Sequence, residues 1–357
     1  MANGSILNLK TFRISLICAF FLIAGAFSQS AFSQEKASDN KEKKFDAKEV
    51  ILEHIGDSHA WPFAFPFVEE RHIPLPVILY TDKGLEVFSS GHLFPEGTVY
   101  STANHSYKLE ANKIKVVDAS GKIDEEGSKK IVDLSITRNV VSMFMGIAIL
   151  LIVFLSISST YKKREGKAPK GLQSWMEPLI LFVRDDIAIP NMGYKYARFM
   201  PLLLTVFFFI LLNNLLGMVP FFPGGFNLTG NIAVTAVLSV IIFFVVNLNG
   251  NKTYWKHIFV PNPWWLFIIM IPVEVVGIFS KPIALMIRLF ANITAGHILI
   301  LSLISLIFIL NTIWVSPVSV IFVVFMDAIE LLVAFLQAYI FTLLSALFIG
   351  MAIEEHH

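Results

Sequence analysis

From Phe199 to Asn251 the chain carries no aspartate, glutamate, lysine or arginine. A stretch that cannot solvate itself has to lie in lipid or fill a very large core, and about 20 apolar residues of helix already cross a hydrocarbon layer of roughly 30 Å. In lipid the backbone must satisfy its own hydrogen bonds, which leaves helices or closed barrels. Pro220, Pro223, Gly224 and Gly225 divide the run, so it reads as two antiparallel spans. With 55% hydrophobic and 15% charged residues among 357, the chain falls with integral membrane proteins. Its net charge of +1 offers nothing to a nucleic acid.

The amino-terminal third is different. Lys10 and Arg13 precede an apolar segment, Ile14 to Ala26, followed by Ala-Phe-Ser at 26–28 and again at 31–33. This predicts a secretory signal over residues 1–33, with an uncleaved anchor helix as the alternative. Cys18, the single cysteine, falls inside that segment, so disulfides and cysteine metal sites drop out. It follows Ile17 rather than a small residue and does not read as a lipoprotein cysteine. Residues 34–135 are polar, with β-like runs at Val77–Thr81, Leu85–Ser89 and Ile114–Val117 and turn signals at Asp82-Lys83-Gly84 and Ser120-Gly121. They predict a small β-containing extracytoplasmic extension, read as dispensable for conduction: deletion of 36–130 is expected to leave that chemistry intact. His54, His59, His72, His92 and His105 lie here in no zinc-like spacing, and solvated histidines are the expectation.

Residues 136–357 predict an all-α polytopic membrane domain of about five spans. Val140 to Thr160 is uncharged and is followed by Lys162, Lys163, Arg164 and Lys167, a basic cluster that the positive-inside rule puts in the cytoplasm. Gln173 to Ile189 mixes Trp175, Glu177, Arg184, Asp185 and Asp186 with apolar residues and predicts an interfacial helix. Lys252 and Lys256 mark a second cytoplasmic exit. Two long helices follow, Trp264 to Leu310 and Pro317 to Ile353, separated by Asn311 and Ser316-Pro317. The first would be about 70 Å long against a layer of about 30 Å, so a strongly tilted hairpin with breaks near Pro272 and Pro282 is expected. Five spans put the carboxyl terminus, Glu354 to His357, in the cytoplasm.

Charge inside these last helices is the functional signal. Arg288 lies in the apolar run Ser280 to His297. Insertion scales charge an arginine about 2.5–3.5 kcal/mol at mid-membrane, and such residues face a cavity or a counter-charge. Glu274, Lys281 and Arg288 recur every seven residues and share a stripe. Glu274 and Lys281 have two readings, snorkelling to the surface or lining a path. An antiparallel hairpin turning near 313–314 sets His297 level with Glu330, with Asp327 one turn outward, and brings Arg288 near Gln337 and Tyr339. No acid of this chain then meets Arg288, which implies a counter-charge from a partner or ligand. His297 facing Glu330 makes a proton relay.

SKPIALMIRLFANITAGH (280–297) together with LLVAFLQAYIFTLLSALFIGMAIEEHH (331–357) resembles subunit a of the F-type ATP synthase membrane sector. Asn213 to Pro220 and Asn227-Leu228-Thr229 are similar to further family segments. The resemblance runs from about Met143 to the end. It implies that Arg288 faces the carboxylates of a rotating ring of c subunits, with Asn292 and Gln337 beside it. Protons would enter from outside past Asp327, His297 and Glu330 and leave near Glu274. Many bacterial members have glutamate where this chain has His297 and histidine where it has Glu330, so the pair looks exchanged. Ala284 stands where some relatives have serine, which leaves no hydroxyl to act there. The resemblance further implies b subunits of a peripheral stalk and other synthase subunits as partners, the lipid bilayer as surroundings, the inner membrane as location, and no cofactor. No P-loop pattern is present, so any nucleotide chemistry belongs to other subunits. The rivals are a proton- or sodium-coupled secondary transporter, which would normally show repeated halves, and an assembly protein, which would have no need of Arg288.

Overall fold

The computed structural model describes residues 51, 56–62, 72–110, 112–118, 122–164, 166–219, 224–226, 228–259, 267–310 and 315–354. The predicted signal at 1–33, His54, Ser120-Gly121, Pro220, Pro223, Asn227, the turn at 311–314 and the last three residues lie outside them.

The polar third folds into three small antiparallel sheets. Strand β1 (Ala60–Pro62) pairs with β2 (His72–Pro74); β3 (Pro76–Thr81) lies between β4 (Gly84–Ser89) and β8 (Val132–Asp133); β5 (Val99–Ser101), β6 (Ser106–Glu110) and β7 (Lys113–Val117) form the third. The predicted runs at 77–81, 85–89 and 114–117 correspond to β3, β4 and β7, and Gly84 takes the positive φ of 117° that its turn needs. Alternation buries one face of β3, β6 and β7. Val77, Leu79, Leu93, Tyr107, Leu109, Ile114 and Val116 make the core, each worth about 1.5–3 kcal/mol of transfer free energy when fully buried. A short helix, α1 (Glu125–Lys129), is capped by Asp124.

Among the described residues eight α-helices and two short helical turns follow: α2 (Arg138–Lys163), α3 (Leu172–Phe182), a π-helical turn (Val183–Ala188), α4 (Ile189–Met192), a 3-10 turn (Gly193–Lys195), α5 (Tyr196–Gly217), α6 (Ile232–Leu248), α7 (Lys252–Phe259), α8 (Phe267–Leu310) and α9 (Val315–Ile353). Among the described residues four stretches are long and apolar enough to cross a membrane, and α6 with α7, bent by 99° from each other, make a fifth if the pair is taken as one span. This is a polytopic helical membrane protein with a β-containing amino-terminal unit.

One expectation changes. Pro272 and Pro282 lie inside an unbroken α8 of 44 residues, about 66 Å long at 1.5 Å per residue. A proline costs its helix one hydrogen bond, and in apolar surroundings the remaining ladder holds the helix together. Within Gln173–Ile189 the amphipathic division is plain: Val183, Ile187 and Ala188 are buried in the main core, while Arg184 pairs with its neighbour Asp185 at 2.7 Å on the exposed side. The extra residue of the π turn rotates the charges outward and the apolar side chains inward.

α8 packs on α9 and α6, and α9 also packs on α5. Gly350 permits the closest approach, since a Cβ there would lie 2.0 Å from the Asn191 carbonyl oxygen. At the end of α9, Ile353 O accepts from the Asn251 side-chain amide at 2.7 Å and from Lys195 Nζ at 3.1 Å, and Ala352 O accepts from the Asn251 backbone N–H at 2.8 Å.

Candidate functional site

Helices α8 and α9 run antiparallel, in the register expected from the sequence. His297 Nε2 lies 3.6 Å from Glu330 Oε1, with both side chains almost fully buried at 12% and 7% exposure. That separation is ion-pair contact, longer than a direct hydrogen bond. Gly296 makes room for it, because a Cβ there would stand 3.0 Å from Glu330 Oε1. Further along, the Asn292 amide donates to Gln337 Oε1 at 3.0 Å. Lys281 Nζ lies 5.4 Å from the centre of the Phe348 ring, so this lysine turns toward α9 rather than snorkelling freely.

Arg288 sits on a different face. Leu285 and Leu289 beside it are buried against the core, while Ala284, Arg288, Ala291, Asn292 and Ala295 are exposed along α8. Small residues in that spacing let another helix approach closely. Among the described residues Arg288 has no ion-pair partner. Asn292 joins the two regions, being exposed beside Arg288 and held by Gln337, which is 2% exposed.

The polar groups continue away from His297 toward the β unit. Gly217 on α5 abuts the His297 ring, and Thr294 on α8 donates to Gly230 O at 3.4 Å. Thr229 donates to Asn214 Oδ1 at 2.5 Å, and Asn214 donates to Ala334 O of α9 at 3.4 Å. Asn213 lies beside Gly146 of α2, and near the start of α2 stand the buried Ser142, Asn139 and Arg138. Asp327 is exposed on α9, one turn from Glu330. Hydrogen-bonding side chains thus lie on α2, α5 and the α5–α6 connection as well as on the long hairpin.

Glu274 lies fourteen residues from Arg288, roughly 21 Å along α8, and its Oε1 is 3.7 Å from His257 Nδ1 of α7. The structure therefore keeps Arg288, His297–Glu330 and Glu274 at separate levels. His257 and Arg138 escape the sequence reading. His257 sits in a short amphipathic helix after a charge-free run; Arg138 stands one step outside another, at a helix amino terminus, where a cation opposes the helix dipole. That mismatch was the available signal.

Comparison with known proteins adds the family. The model described as "ATP synthase A chain" matches residues 140–350, and one described only as a domain of unknown function matches residues 50–134. The chain is 50% identical over 232 residues to "ATP synthase subunit a" of Chloroherpeton thalassium, covering 63% of this chain and 69% of that protein. It is 52% identical over 227 residues to "ATP synthase subunit a 2" of Prosthecochloris aestuarii, with 62% and 69% covered. With "ATP synthase subunit a" of an Anaeromyxobacter species it shares 44% identity over 234 residues, covering 63% and 56%.

Proposed function

Because the chain belongs to the ATP synthase A chain family, we propose that it is the stator subunit that carries protons between two offset half-channels and a rotating c ring. It works within the F-type ATP synthase complex, as a multi-pass membrane protein. The finer reading divides it into a signal over 1–33, an extracytoplasmic extension over 34–135 and an ion-translocating domain over 136–357. The basic residues after α2 and around α7 favour a cytoplasmic carboxyl terminus in the inner membrane.

In this reading protons enter from outside past Asp327 and the His297–Glu330 pair and neutralise a carboxylate of the ring. They ride the ring around and leave toward the cytoplasm near Glu274. Arg288 stands between the two paths. A permanent cation favours the ionised form of a carboxylate brought against it, and a guanidinium cannot itself hand on a proton, so it blocks a direct leak. Each charge that crosses releases about 2.3 kcal/mol per 100 mV, so several are needed per nucleotide. Asn292 and Gln337 fix the face that meets the ring. Peripheral-stalk b subunits and lipid would cover other exposed faces, such as that of α2.

The observation that carries the reading is the exposed Arg288 on a small-residue stripe of a membrane helix, with no acid paired to it among the described residues. A transporter would place such a charge in its own interior. The test is a disulfide trap: Ala291→Cys, one turn from Arg288, paired with a cysteine near the ring carboxylate. Cross-linking that halts rotation supports the reading; an unreactive pair in the assembled complex counts against it.

A further inference from the structure

We propose that the pocket between the end of α2 and the start of α3 is a phospholipid site, which holds the headgroup of an anionic, hydroxyl-bearing lipid of the phosphatidylglycerol class. The inference needs only that α2 spans the membrane and is independent of the ion path.

Between Tyr161 and Glu177 the sequence sets Lys162, Lys163, Arg164, Lys167 and Lys170 against Glu165 and Glu177. The cations begin where the apolar run of α2 ends, at the depth where a bilayer presents its phosphates, and basic clusters and pockets at that depth attract anionic lipid. A cavity of about 470 Å³ opens here, with Tyr161, Lys162, Arg164, Lys167, Gln173 and Glu177 in its wall, a size that suits a small polar group. Lys162 and Lys167 are exposed and Arg164 is half-buried, and among the described residues none of the three pairs with an acid. They form a positive rim. The start of α3 adds to it: Gly171 supplies no side-chain cap and the first turn holds no acid, so the N–H groups that open this helix are left to an acceptor from outside.

The floor has the opposite chemistry. Gln173 is only 5% exposed, and its Oε1 and the Oε2 of Glu177, one turn further along α3, are buried acceptors with no hydrogen-bond partner among the described residues. A buried acceptor without a donor is costly, and such atoms in a folded protein call for a partner. A bare phosphate would satisfy the rim and be repelled by Glu177. A phosphodiester that carries hydroxyl groups beyond the phosphate meets both demands, because its phosphate oxygens accept from the rim while its hydroxyls donate to Gln173 and Glu177. A zwitterionic headgroup also brings donors, but it leaves the surplus of cations unbalanced. The surroundings fit an acyl chain: Leu155 stands seven residues before Lys162 and so shares its stripe of α2, Leu151 lies one turn beyond, and both are exposed. Tyr161 and Trp175, 42% and 83% exposed, flank the pocket as interfacial aromatics do.

The test uses the assembled complex in vesicles doped with a photoactivatable lipid, and adducts are located by mass spectrometry of its peptides. Three probes are compared: phosphatidylglycerol, phosphatidylmethanol, which has the same charge and no hydroxyl, and phosphatidylcholine. Phosphatidylglycerol should label residues 161–177 about fivefold more than phosphatidylmethanol, the worth of one well-made hydrogen bond, and phosphatidylcholine should label them least. Lys162→Gln with Lys167→Gln should cut the phosphatidylglycerol adducts by about tenfold or more, while arginine at both positions preserves them. Gln173→Leu should narrow the gap between phosphatidylglycerol and phosphatidylmethanol. Equal labelling by those two lipids, or by phosphatidylcholine, overturns the inference. So does displacement of the adducts by soluble glycerol phosphate, which would assign the pocket to a free phosphate ester, and so does cross-linking of Lys167 to another subunit with no lipid adduct at all. Should the glutamine pair fail to assemble, the three lipids on the wild-type complex decide. Pumping plays no part in the readout, so the site and the ion path stand or fall separately.

Discussion

Exchanging the relay partners is the sharpest perturbation of the outer path. His297 and Glu330 stand 3.6 Å apart, 12% and 7% exposed, so neither can borrow solvent as a substitute partner. Two unit charges at that distance interact by roughly 4–5 kcal/mol at an effective dielectric of about 20, and loss of a positioned proton-transfer group costs about 10²–10⁴ in rate. His297→Ala or Glu330→Ala alone should therefore slow ATP-driven pumping by about a hundredfold. The exchange His297→Glu with Glu330→His keeps one acid and one imidazole in contact. It should fit, because Gly296 offers no side chain against position 330. Pumping within about tenfold of wild type is expected for the double variant, measured by fluorescence quenching of a pH dye in inverted vesicles with assembly checked by co-purification of the ring. A double exchange no better than the worse single change would refute the pairing.

Further expectations follow from other parts of the fold. Gly350→Ala places a Cβ 2.0 Å from a backbone carbonyl that has no rotamer to escape into; it should destabilise the complex by at least about 1–3 kcal/mol, read as a lowered thermal midpoint, and an unchanged midpoint would mean the α4–α9 contact is looser than described. In the β unit, burial alone would raise the Glu86 carboxyl, yet hydrogen bonds from Thr102 and His105 hold it below its usual 4.5. Asp133 is likewise held low, its burial outweighed by His59 and Ser135. Both contributions are complete above the unfolded values and vanish as pH falls through the lower folded ones. Amide exchange over residues 72–117 in the intact complex should thus accelerate below about pH 4, and Glu86→Gln should flatten that dependence; a pH-independent profile would contradict it.

The hairpin was legible because two long apolar helices with a predicted turn near 313–314 admit an antiparallel arrangement that sets His297 against Glu330 without any knowledge of packing; α9 in fact starts at Val315, so Ser316 and Pro317 belong to its first turn. Strands β3, β4 and β7 were legible from alternation and from the turn at Asp82-Lys83-Gly84. β5 was not, because Val99–Ser101 is only three residues long; β6, Ser106–Glu110, carries the same alternation as β7, so its signal was present in the sequence. The π turn at Val183–Ala188 reads in sequence as ordinary amphipathic helix. The anchorage of Arg138 lay furthest from view: its hydrogen-bond partner stands 82 residues earlier, in a polar segment that composition separates from the membrane domain.

The central claim is that Arg288 is the fixed charge separating two ion paths. It is tested most directly by Arg288→Ala in the assembled complex: ATP-driven pumping should disappear while the ring and stalk still co-purify in normal amounts. Coupled pumping that survives the loss of this guanidinium would contradict the account.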